Sequence, residues 1–75
     1  MPTFQITIVN DTFAATSEET VDDLGAAKLS ALKGALELGM EQLLGGKPLF
    51  GAEVTVGHGV RRDRFIVSMS ISALK

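Results

Sequence analysis

Cysteine, tryptophan and tyrosine are missing from this 75-residue chain, and histidine occurs once. Without cysteine there is no disulfide framework, no thiolate metal site and no cysteine nucleophile. Without tryptophan or tyrosine the usual platforms for stacking single-stranded bases are gone. The phenylalanines, four in number, all fall at inward strand or loop positions in the pattern traced below. Long uncharged runs are also lacking. The longest apolar stretch, Leu24 to Leu44, is broken by Lys28, Lys33, Glu37 and Glu41, whereas a membrane-spanning helix needs about 20 nearly uncharged residues. The opening Met1-Pro2-Thr3-Phe4 carries neither the basic region nor the apolar core of a signal peptide, so a cytoplasmic protein of bacterial or phage origin is expected. Charge is sparse and nearly balanced, at net −2, which argues against a surface devoted wholly to nucleic acid.

Apolar residues are what the chain has in plenty. They make up 45% of it, and the mean hydropathy of +0.26 is high for so small a protein. Residues 1–75 are read as one domain. A domain this small buries only about 60% of the surface its unfolded chain exposes. With no disulfides and few metal ligands, association is the remaining route to stability.

Periodicity gives the elements. In Thr3 to Val9, Phe4, Ile6 and Ile8 alternate with Thr3, Gln5 and Thr7, which predicts a half-buried strand. Asn10-Asp11 reads as a hairpin turn and Thr12 to Thr16 as a short return strand with Phe13 and Ala15 on one face. Ser17 to Asp23 reads as an acidic connector that becomes a helix start, with Thr20 and Asp23 resembling a capping box and Glu18, Glu19, Asp22 and Asp23 favoured near the positive end of the helix dipole. The helix runs to Leu44, where Gly45-Gly46 supplies a left-handed cap and Pro48 prevents resumption. Leu49-Phe50 is expected to fold back on the helix end from a loop. A third strand spans Gly51 to Gly57, with Val54 and Val56 inward, and a fourth spans Phe65 to Leu74. In the fourth, Phe65, Val67, Met69, Ile71 and Ala73 share one face and Ser68, Ser70 and Ser72 the other. The fold class is therefore α+β: a four-stranded antiparallel sheet in the order strand-strand-helix-strand-strand, with one long helix on its apolar face.

Unrolled at about 100° per residue, the helix shows a bulky arc of Leu29, Leu32, Leu36, Met40 and Leu43. Beside it lies a small-residue arc of Leu24, Ala27, Ala31, Ala35 and Leu38. Together they cover about 220°, twice the stripe one layer requires. The alanines, spaced four apart, predict a seam where a second helix approaches closely, with Leu24 and Leu38 as anchors. A two-fold homodimer is the simplest closed solution. Edge-to-edge pairing of the hairpins is a different dimer that the sequence does not separate from the first.

Residues with chemistry are few. His58 has no partners at a familiar triad or ligand spacing and reads as a cap on the core edge. Lys47 follows two glycines, but the helix precedes them and Pro48 follows, so it marks a helix stop and not a phosphate loop. Arg61, Arg62 and Arg64 are the only dense positive charge. They fit a solvated turn, a contact with an acidic protein surface, or a contact with phosphate. No catalytic residue, metal ligand or cofactor is assigned.

Met1-Pro2-Thr3-Phe4, Glu18-Glu19, Asp23-Leu24, Ala27 with Ala31-Leu32, and Glu53-Val54 give the chain a pattern that resembles a family of small uncharacterised proteobacterial domains. The chain departs from that pattern in lacking Asp-Gly hairpin turns and in the arginines near the last turn. The resemblance implies the same strand-strand-helix-strand-strand fold and carries no catalytic residues. In size and mild acidity the chain is also similar in kind to small phage-encoded inhibitors such as anti-CRISPR proteins, which act by occupying a surface of a larger nucleoprotein. The expectation is thus a non-enzymatic homodimeric interaction module that masks a surface of a larger bacterial protein or nucleoprotein complex. Arg61, Arg62 and Arg64 would be its partner contacts; the alternatives are a nucleic-acid-binding hairpin using the same arginines, a small enzyme using His58, and a structural domain with no ligand.

Overall fold

The computed structural model describes residues 1–74. Its elements are β1 (Thr3–Val9), β2 (Ala14–Thr20), α1 (Leu24–Leu44), β3 (Leu49–His58) and β4 (Arg61–Ser70). The four strands form one antiparallel sheet in the order β2-β1-β3-β4, so the α+β class expected from the sequence is the observed one.

Each boundary has a local cause. Asn10 Oδ1 accepts hydrogen bonds from the backbone N–H of Thr12 at 2.8 Å and of Phe13 at 3.0 Å, which commits residues 10–13 to the turn. The return strand therefore begins at Ala14 and not at Thr12. It then stays in register with β1 from Val9↔Ala14 to Thr3↔Thr20, carrying Glu18 and Glu19 with it. Two of the four acidic residues expected at the helix start, Glu18 and Glu19, thus lie on an edge strand, where charge discourages pairing with another chain. Helix initiation falls to Asp23 alone, whose Oδ1 accepts from the Ala26 N–H at 2.8 Å. Thr20, expected in a capping box, hydrogen-bonds the Thr3 hydroxyl at 3.0 Å instead.

At the other end of α1, Gly46 takes the left-handed conformation, with φ of 105°. The Gly46 N–H donates to the Leu43 carbonyl at 3.2 Å and the Lys47 N–H to the Gln42 carbonyl at 3.1 Å. That pair of bonds is a Schellman cap. β3 starts two residues earlier than expected, at Leu49, so Phe50 reaches the helix from a strand and not from a loop. β4 stops at Ser70 and not at Leu74. Its partner strand begins at Leu49, after Pro48, and beyond the bond from Ile71 N–H to Pro48 O there is no ladder for residues 72–74 to join. The β3–β4 connection is tighter than expected, with only Gly59-Val60 between the paired His58 and Arg61. Gly59 has φ of 62°, which the first central position of such a hairpin demands.

The helix meets the sheet with the opposite face from the one its bulk suggests. Ala27, Ala31 and Ala35 are 0%, 1% and 0% exposed, and Gly39 continues their line into the core. They lie in one cluster with Phe4, Ile6, Ile8, Phe50, Val54 and Val56, with Leu24 and Leu38 packed partly buried at its margin. The seam expected to receive a second helix is therefore occupied by the chain's own sheet. The physical reason is volume. The sheet presents large side chains to α1, so a well-packed core leaves room only for small ones opposite.

Candidate functional site

Turning the alanine stripe inward leaves the bulky arc outward. Leu29 is 68% exposed, Leu32 36%, Leu36 41% and Met40 53%. Scattered surface leucines are ordinary, but residues at i, i+3, i+7 and i+11 of one helix make a continuous row. The row does not look straight up from the sheet. It leans toward β4, the strand at the open edge, whose Phe65 and Met69 are only partly buried. Between helix and strand runs an apolar groove of about 500 Å³, walled by Leu29, Leu32, Leu36 and Met40 and floored by Met69. It continues past Leu29 and Leu32 to Phe65, beside Gly25, Lys28 and Asp63. Lys33 and Glu37 stand along its rim.

The molecule is elongated, with principal extents of 49 × 20 × 16 Å. The chain exposes 5197 Å², against about 4,400 Å² for a compact monomer of its 7.9 kDa. Its Cα radius of gyration is 13.6 Å, where a compact chain of this length has about 11 Å.

The arginines do not form a patch. Alternation along β4 puts Arg61 on the helix side and Arg62 and Arg64 on the opposite side. Each is already engaged within the chain. Arg61 Nε lies 3.5 Å from Asp63 Oδ2, and Arg64 forms an ion pair with Glu53 on the neighbouring strand. Arg62 lies flat across Gly57, its Nη1 donating to the carbonyls of Gly59 at 2.7 Å and Arg61 at 3.0 Å. A β-carbon at residue 57 would be 2.9 Å from the Arg62 δ-carbon, so a side chain there would displace the Arg62 side chain from this position.

His58 ends β3 with its Nδ1 donating to the Thr3 carbonyl at 3.0 Å and its ring 5.1 Å from that of Phe4. This is the core-edge cap the strand parity suggests. Among the described residues no three His, Asp or Glu side chains come together in a way that would hold a metal ion. Among the described residues no helix is long and apolar enough to cross a membrane. The chain matches no protein-family model, no curated protein and no solved structure.

The leucine row is the surface that the sequence reading passed over, since it gave the seam with a second chain to the alanine stripe beside it. A signal for the correct face was present in Gly39. It stands four residues beyond Ala35 and completes a stripe of Ala27, Ala31, Ala35 and Gly39. Glycine inside a helix costs about 1 kcal/mol relative to alanine. Its place in that stripe marks close contact, here with Phe50 and Met69.

Proposed function

We propose that this protein is a non-enzymatic interaction module that works as a homodimer, joined through the Leu29–Leu32–Leu36–Met40 face of α1. The observation that carries this reading is the exposure of that continuous row above a groove floored by Met69. A pair of copies would also present two Gly59-Val60 hairpins, each tipped by a fully exposed Val60 and by Arg61. In its most concrete form the function is occupancy: the dimer masks a surface of a larger bacterial protein or nucleoprotein complex, as a regulator or inhibitor does.

The test is the mass in solution. Light scattering at tens of micromolar should give twice the chain mass for the wild type and a monomer for Leu36→Glu. A monomeric wild type at that concentration would overturn the reading.

A further inference from the structure

Within α1 the exposed charges are ordered, basic in the first half and acidic in the second. Lys28 and Lys33 occupy the first half of the helix, Glu37 and Glu41 the second, and all four are exposed. The first turn holds no acidic residue and the last turn no basic one. Asp22 and the N-cap Asp23 complement the positive end of the helix, but the dipole acts over the first and last turns and does not account for the order of Lys33 and Glu37 in its middle. Pairing along the helix does not explain the order either. Lysine four residues before glutamate is the weaker orientation of an i, i+4 pair. Among the described residues the ion pairs are Arg61–Asp63 and Arg64–Glu53, and none involves these four side chains.

We infer that, in the homodimer proposed above, the two α1 helices lie antiparallel about a two-fold axis near residues 34 and 35, with Lys33 of each copy facing Glu37 of the other. The inference rests on the homodimer reading and adds its orientation and register. An antiparallel partner places the basic half of one helix beside the acidic half of the next, and each positive helix end beside a negative one. The same axis superposes the apolar row on itself: Leu29 meets Met40 of the second copy, and Leu32 meets its Leu36. Lys33 and Glu37 line the rim of the groove and not its floor, which is where charges select orientation more than they add affinity. A parallel pair would keep the same leucines in contact but would set lysine against lysine and glutamate against glutamate.

The absence of cysteine makes the test clean. Leu29→Cys and Met40→Cys are prepared separately, mixed, re-equilibrated and oxidised, and the linked peptides are identified by mass spectrometry. The antiparallel register predicts a 29–40 link in the mixture and no dimer from either variant alone. A 29–29 link, or a light-scattering dimer that yields no 29–40 link, overturns the inference and leaves the homodimer standing. A monomer by light scattering overturns both. The charge order is tested by Lys33→Glu and Glu37→Lys. Each should weaken the dimer by about five- to tenfold, as two rim pairs turn repulsive. The double variant, which has wild-type composition, should return to within about threefold of the wild type. Failure of the double variant to recover would exclude the Lys33–Glu37 pairing.

Discussion

The ring of Phe50 lies 2.8 Å from the position a β-carbon on Gly39 would occupy, and the Met69 sulfur reaches the same spot. Two strands and the helix thus converge on a residue with no side chain. Gly34, one turn and a residue earlier, is different: its β-carbon would be 3.7 Å from Ile8 Cδ1, an ordinary contact.

The two glycines should therefore respond to alanine with opposite signs. At Gly34 the substitution gains helix propensity, about 0.5–1 kcal/mol. At Gly39 the same gain is outweighed by overpacking against a buried ring, leaving a net loss of about 1–2 kcal/mol. Urea unfolding at one fixed protein concentration distinguishes them. A stabilised Gly39→Ala would mean that Phe50 and Met69 move aside freely and that the close approach is not a constraint.

A charge on the small face should act on folding, and a charge on the bulky face on association. Ala31→Glu places a carboxylate at a site 1% exposed with no partner on the sheet. Such a variant should lose about 3 kcal/mol or more and be largely unfolded by circular dichroism. Leu36→Glu, at a site 41% exposed, should keep the wild-type spectrum while losing the proposed dimer. If Ala31→Glu folds normally, the helix has been placed on the sheet by the wrong face.

Those two positions also show what was legible in the sequence. The period of four in Ala27, Ala31 and Ala35, and the excess of apolar circumference, are both properties of the helix alone. Which face meets the sheet depends on the volume of the opposing layer, and that is a property of Phe4, Ile6, Ile8, Phe50, Val54 and Val56 acting together. The strand pattern was read well where alternation is strict, as in β1. It was misread in β2, because Ala14–Thr20 has almost no buried residue to mark a face. That strand is set by hydrogen bonding to β1 and by the turn at Asn10, not by a hydrophobic pattern.

The helix start should depend on Asp23 and not on Thr20. Asp23→Ala removes the acceptor of the Ala26 N–H and should cost about 1 kcal/mol. Thr20→Ala removes only a hydroxyl contact on an exposed edge strand and should cost less than about 0.5 kcal/mol. Thermal unfolding of the two variants beside the wild type measures the difference, and equal losses would point to a cap shared between them.

The arginine hairpin should not behave as a nucleic-acid site. A phosphate track needs guanidiniums on one face and free to move to the backbone oxygens. Here Arg61 is on one side of β4, Arg62 and Arg64 on the other, and Arg64 is held by Glu53. The wild type should therefore shift neither labelled DNA nor RNA at low salt. Replacing Arg61, Arg62 and Arg64 together by alanine should leave the mass in solution equal to that of the wild type. Its cost in stability should be no more than about 1–2 kcal/mol, since exposed ion pairs contribute little and Arg62 adds only packing over Gly57. Binding that is tight at low salt, falls steeply as salt rises and vanishes in the triple variant would show that the ion pair with Glu53 opens on contact. The hairpin, not the helix face, would then be the working surface.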